Sequence, residues 1–285
     1  MKPRRSVLYM PGANTRAMEK ARDIDCDTII FDLEDAVSPD AKVQAREQVL
    51  RAVDEGGYGY RELIVRANGL ETPWGADDVA AFAAMNIDGM LFPKIDRVEQ
   101  VEAIVSSLDA AGGQGTPVWL MIETPLGIID LRAVGAASSR VEVLIMGTSD
   151  LVKELRAEHT DSRSNLTYAL QRAVLVARSL GLDVLDGVHL DFRNLDSFRE
   201  ACLQGAQMGF DGKTLIHPGQ VEIANEVFGL DASDIEHARA VLAVWHEALE
   251  AGKGVAVLDG QLVENLHAAD AERAIAFADA LAARR

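Results

Sequence analysis

Eight short apolar runs recur along the chain, at residues 6–9, 28–33, 62–66, 89–93, 118–122, 141–146, 184–189 and 213–216. They are continuously apolar and rich in β-branched residues instead of alternating, as strands covered on both faces require. Between them lie stretches whose apolar residues fall three and four apart, at 41–53, 77–85, 98–108, 166–180 and 195–208, which predicts helices. Eight strands in a βα alternation predict an α/β fold of the TIM (β/α)8-barrel kind. An open doubly wound sheet is the competing architecture, but the glycine fingerprints GxGxxG and GxxxxGK[ST] are absent. After the eighth run the pattern changes. Residues 233–251 and 268–283 read as amphipathic and alanine-rich helices, with a short element at 254–263 holding an Asp259-Gly260 turn. The expected division is therefore a barrel over 1–230 and a C-terminal helical extension over 231–285.

In such a barrel the chemistry sits at the C-terminal ends of the strands. The runs end in Tyr9-Met10-Pro11-Gly12, Asp32-Leu33-Glu34-Asp35, Arg66-Ala67-Asn68, Pro93-Lys94, Glu123-Thr124, Gly147-Thr148-Ser149-Asp150, His189-Leu190-Asp191 and His217-Pro218. Nearly all are charged or hydrogen-bonding residues converging on one mouth. The set is rich in carboxylates and poor in histidine, and oxygen ligands suit Mg2+ or Mn2+ better than zinc. Glu123 and Asp150 end adjacent strands and are the expected metal pair; taken singly, each could equally be a helix cap or a solvated carboxylate. Arg66 can clamp a carboxylate or stabilise an enolate oxygen, and can also pair with Asp32, Glu34 or Asp35. His189 and His217 are expected to be packed hydrogen-bonding residues.

Charge narrows the partners. Twenty-eight Lys and Arg against 45 Asp and Glu leave a net charge of −17, which repels a phosphate backbone and argues against nucleic acid. The first 22 residues run the other way, with Lys2, Arg4, Arg5, Arg16, Lys20 and Arg22 against Glu19 alone; this is either a phosphate-binding patch or a solvated face. Cys26 and Cys202 stand far apart and read as core residues, not a disulfide framework or a zinc site. With no apolar run long enough for a signal segment or a membrane span, a cytoplasmic protein is expected.

The strand ends, taken in order, resemble the citrate lyase β-subunit-like branch of the HpcH/HpaI aldolase superfamily, which includes malyl-CoA, citramalyl-CoA and citryl-CoA lyases. The matching pieces are RSVLYMPG at 5–12, FDLEDAV at 31–37, VRANG at 65–69, PK at 93–94, MIET at 121–124, MGTSDL at 146–151 and GFDGKTLIHPGQ at 209–220. The resemblance implies Mg2+ on Glu123 and Asp150, with Arg66 on the acyl carbonyl and keto-acid. It implies Glu34 and Asp35 as acids that hold metal-bound water and orient Arg66. Tyr9 and Lys20 match positions that touch coenzyme A, and Asn14 falls where some relatives carry an arginine. It also implies a homotrimer or hexamer in which the C-terminal segment covers a neighbour's site. There the usual acid/base aspartate is replaced by Glu264, in Asp259-Gly260-Gln261-Leu262-Val263-Glu264.

The expected reaction is Mg2+-dependent carbon–carbon cleavage or condensation of a 3-hydroxyacyl-CoA such as malyl-, citramalyl- or citryl-CoA. Its keto-acid partner would be glyoxylate, pyruvate or oxaloacetate. A malyl-CoA-type thioesterase and a citrate lyase subunit acting on a carrier-protein thioester stand as alternatives. A CoA-independent aldolase and a non-catalytic binding subunit are the remaining rivals.

Overall fold

A computed structural model describes residues 2–284; the ends of the two expected segments, Met1 and Arg285, lie outside the described residues. Eight parallel strands close a barrel in sequence order: β1 (Ser6–Pro11), β2 (Thr28–Asp32), β3 (Glu62–Arg66), β4 (Gly89–Phe92), β5 (Val118–Ile122), β6 (Val141–Met146), β7 (Asp183–Asp186) and β8 (Gly212–Leu215). Helices between the strands are α1 (Thr15–Ala21), α2 (Lys42–Glu55), α3 (Gly75–Phe82), α4 (Val98–Ala110), α5 (Pro125–Ile129), α6 (Leu131–Gly135), α7 (Thr148–Glu154), α8 (Thr167–Leu180) and α9 (Leu195–Met208); α10 (Val221–Val227) follows β8. The fold is the TIM barrel the apolar runs predict.

Two apolar layers explain why the strands are apolar on both faces. Val7, Ile30, Ile64, Leu91, Trp119, Met121, Val143, Ile145 and Leu185 fill the barrel interior. Their neighbours one residue along, among them Leu8, Ile29, Phe31, Val65, Phe92, Leu120 and Leu144, pack in the larger cluster with the buried faces of the helices. At the N-terminal end of the barrel, buried Arg4 donates to both Glu62 oxygens, pairs with Asp183 and lies 4.9 Å above the Trp119 ring. The charges there serve closure, since the bottom of such a barrel carries stability and not chemistry.

Among the described residues, a second compact unit comprises 229–284 with Lys2 and Pro3. It contains α11 (Ala232–Glu250), a two-stranded antiparallel hairpin β9 (Ala256–Leu258) and β10 (Gln261–Val263), and α12 (Asn265–Ala282). The short element foreseen at 254–263 is thus a hairpin, turned by Asp259 and Gly260, both at positive φ. Ala238, Val241, Trp245, Val263, Ala268 and Ala271 form its own small core. Among the described residues no helix is long and apolar enough to cross a membrane.

Candidate active site

Strand alternation places the site. Each inward apolar residue is followed two residues later, toward the C-terminal end, by another inward position: Val7 by Tyr9, Ile30 by Asp32, Ile64 by Arg66, and Trp119 by Met121 and then Glu123. Tyr9, Asp32, Arg66, Met121 and Glu123 line a cavity of about 360 Å3, with Asp35, Met146, Thr148, Ser149, Asp150, Val188, Thr214 and Ile216.

Glu123 is buried, 2% exposed. Its Oε1 accepts the N–H of Lys94 at 2.7 Å, and its other oxygen has no hydrogen-bond partner among the described residues. Lys94 reaches that position with φ 54, an uncommon backbone for a non-glycine residue, and this aims its N–H at Glu123. Burial pushes the Glu123 carboxyl up to about 8; the Lys94 N–H opposes this, and the charges of Asp150 and Glu34 add to it. Gly147 is required beside it: a Cβ there would stand 2.4 Å from the Glu123 Cβ and 2.5 Å from its Oε2. Asp150 is not at a strand end as expected but in the first turn of α7, three residues past Gly147, and it faces the same cavity.

Neither carboxylate has an ion-pair partner among the described residues. No group of three or more His, Cys, Asp and Glu side chains gathers in metal-ligating geometry there either. Two carboxylates nevertheless fit Mg2+, which keeps several waters and takes its remaining ligands from substrate oxygens. A divalent cation would also supply the positive charge that buried Glu123 lacks.

Arg66 is oriented chiefly by Asp32, its register partner across β2 and β3. Its Nε and Nη2 donate to the two Asp32 oxygens at 2.7 and 2.6 Å, a fork-to-fork pair. Nη1 lies 3.1 Å from Glu34 and 3.6 Å from Asp35. Burial opposes the guanidinium charge, but Asp32, Tyr9 and Glu34 outweigh it and hold the pKa well above its ordinary value. Asp32 also accepts the N–H groups of Glu34 and Ala36, so it fixes the whole β2–α2 loop. By sequence alone Asp32 is one of three pairing partners; the alternation Ile30, Asp32 against Ile64, Arg66 is the signal that singles it out.

Other expected residues fall elsewhere. Tyr9 lies in the cavity with its ring under Arg66, 4.9 Å from the guanidinium carbon. Asn14 caps α1, accepting the N–H of Ala17, and Lys20 is exposed on the last turn of that helix; neither lines the cavity. The basic N-terminal residues are not one patch, because Arg4 is buried among acids, Arg5 pairs with Asp27 and Arg22 with Glu55. His189 hydrogen-bonds Ser197, and the ring of His217 accepts the N–H of Gly219. Glu264 belongs to the second unit, where it caps α12 and its N–H donates to the His267 ring.

A buried charge cluster beneath the rim went unforeseen. Asp186 accepts Lys213 at 2.7 Å and Arg163 at 2.7 and 2.8 Å. Burial alone would raise the Asp186 carboxyl, but the two cations hold it below its ordinary value. Asp186 also accepts the Gly187 N–H, and Gly187 packs so closely on the start of α7 that a Cβ would sit 2.4 Å from the Thr148 hydroxyl. The cluster therefore braces the turn that carries Asp150.

A family profile described as HpcH/HpaI aldolase/citrate lyase matches residues 5–218. The chain belongs to the HpcH/HpaI aldolase/citrate lyase family. It is 46% identical over 281 residues to the (3S)-malyl-CoA thioesterase of Cereibacter sphaeroides, spanning 99% of this chain and 96% of that relative. It is 33% identical over 267 residues to citrate lyase subunit beta of Escherichia coli K12, spanning 92% and 88% of the two chains. Among solved structures, the citrate lyase beta subunit of Mycobacterium tuberculosis complexed with oxaloacetate and magnesium matches at 25% identity with a TM-score of 0.69. That match covers 80% of this chain and 99% of the other. Within this family, the relative named as a thioesterase is more similar to the chain than the citrate lyase subunit.

Proposed function

We propose that this protein hydrolyses the thioester of a malyl-type 3-hydroxyacyl-CoA, with Mg2+ held by Glu123 and Asp150. The observation that carries the reading is a single cavity in which two carboxylates without counter-ions share space with a buried, acid-oriented arginine. The 46% identity to a protein named as a malyl-CoA thioesterase supports the choice of reaction.

Bound Mg2+ supplies a Lewis acid for oxygen ligands of the substrate. The chain's own residues do the rest. The N–H of Lys94 fixes Glu123 so that its free oxygen faces the cavity. Arg66 spends its Nε and one Nη2 hydrogen on Asp32 and turns Nη1 toward Glu34 and the Met121 sulfur. Its second Nη2 hydrogen is left for the acyl carbonyl oxygen, where charge develops as water adds. Glu34 and Asp35 hold Arg66 in that orientation and hold water at the metal side. Met121, Met146, Val188 and Ile216 limit bulk water around the reacting carbonyl. Lys20 and Asn14, on the exposed start of the chain, contact the coenzyme A portion.

A second reading, carbon–carbon cleavage to an acyl-CoA and a keto-acid, is favoured by the similarity to the citrate lyase subunit. In that case the 231–285 segment of a neighbouring subunit in a trimer or hexamer brings Glu264 over the cavity as acid/base. One assay separates the two. Protein with Mg2+ and (3S)-malyl-CoA is followed for free thiol and for keto-acid together. Thiol without keto-acid is expected; keto-acid matching acetyl-CoA in equal amounts would replace hydrolysis with cleavage, and neither product would end both readings.

A further inference from the structure

Tyr9, whose position the family resemblance links to coenzyme A, lies inside the cavity, and its surroundings point to chemistry instead of coenzyme binding. It lies on β1 one inward step above Val7, so its side chain is inside the barrel. Its ring supports the Arg66 guanidinium at 4.9 Å. The hydroxyl has no hydrogen-bond partner among the described residues, yet it is not among the sealed, unsatisfied polar atoms of the interior. It therefore opens into the cavity that Tyr9 lines. Burial pushes the phenol above its ordinary value, Arg66 opposes this, and Asp32, Glu123 and Glu34 add to it, so the group keeps its proton and has a hydrogen to donate.

The cavity has two sides. Glu123 follows β5 and Asp150 lies in the first turn of α7 after β6, whereas Tyr9 is on β1, opposite β5 in the ring of eight strands, with Arg66 over its ring. A substrate whose carboxylate end is held at the first side presents its thioester to the second. The other hydroxyls in the lining are placed differently: Thr214 already donates to the Asp186 carbonyl at 3.0 Å, and Thr148 and Ser149 flank Asp150 at the start of α7.

We infer that the Tyr9 hydroxyl is a catalytic hydrogen-bond donor to the thioester carbonyl oxygen, acting beside Arg66. The inference rests on the acyl-CoA reading above. In hydrolysis, water oxygen bonds to the thioester carbon and the C=O electron pair moves onto oxygen. The pair returns as the C–S bond breaks, and the thiolate leaves to take up a proton. In carbon–carbon cleavage, the electrons of the broken bond flow onto the same oxygen as a thioenolate. One oxygen carries the charge in both cases, so one pair of donors serves either reaction.

The test is Tyr9→Phe, which keeps the ring under Arg66 and removes only the donor. The purified variant and the parent are assayed with Mg2+ and (3S)-malyl-CoA, reading whichever product the parent releases. The expected result is a fall in kcat of about 100-fold, in the range for loss of one such donor. KM for the acyl-CoA, the Mg2+ dependence and the thermal midpoint should stay near those of the parent. An unchanged kcat would overturn the assignment, as would a raised KM alone, which is what a coenzyme A contact would produce. A parent that releases neither product would instead remove the acyl-CoA reading and this assignment with it.

Discussion

Replacing Glu123 by glutamine isolates the feature that most needs a cation. The change preserves size and leaves an oxygen for the Lys94 N–H, but it removes the charge. In the folded chain without metal, Glu123 titrates at about 8, against 4.5 for an ordinary glutamate. The folded state therefore holds an extra proton across that window, and stability falls as pH rises through it. The contribution is fully present below about pH 4.5, and at 1.36 kcal/mol per unit about 3 kcal/mol of it is gone by pH 7. Glu123→Gln carries no such group, so without metal its stability should exceed that of the parent by an amount that grows with pH over this range. Urea unfolding in EDTA at a series of pH values measures the difference. Mg2+ should then restore the parent, by about 2.7 kcal/mol at a hundred times its Kd, and leave Glu123→Gln nearly unmoved. Parallel pH profiles for the two proteins would refute the claim that Glu123 is held against its charge. Equal stabilisation of both by Mg2+ would refute its role as a ligand.

Two further outcomes follow from packing. Gly147→Ala places a Cβ within 2.5 Å of the Glu123 carboxylate. Overpacking of this kind costs about 1–3 kcal/mol, and the Mg2+-dependent shift in thermal midpoint should disappear with it; a retained shift would show that Glu123 is free to move. Lys213→Met breaks the buried pair with Asp186 and should cost about 3–5 kcal/mol in denaturant unfolding. A loss under about 1 kcal/mol would mean that Arg163 alone satisfies Asp186.

The barrel was legible because its strands are apolar on both faces, a pattern few other folds demand. Where boundaries differ, the reason is local. The seventh run continues to 189, but β7 ends at Asp186 because Gly187 must press against Thr148 and Val188 faces the cavity. Asp150 lies inside a helix, since GTSD reads alike as a strand end or a helix start. Glu123 and Arg66 could be found as polar residues closing apolar strands. The division of labour among Asp32, Glu34 and Asp35 could not, because it depends on which strand faces which in register. The Asp186 cluster joins residues more than twenty positions apart and leaves no local signal. The same holds for the basic start of the chain, where Arg4, Arg5 and Arg22 are claimed by acids distant in sequence.

The glycines beside the cavity also set the direction in which the protein can be altered. Gly147 and Gly187 are pressed against Glu123 and Thr148, so that flank has no volume to give. Next along the rim, after β7 and β8, Val188 and Ile216 line the cavity, Ile216 is 39% exposed, and neither pairs with a charged group among the described residues. A library meant to admit bulkier acyl chains should vary positions 188 and 216. Evolvability here is local: one stretch of the rim is committed to holding charge, and the stretch beside it is open to selection for shape.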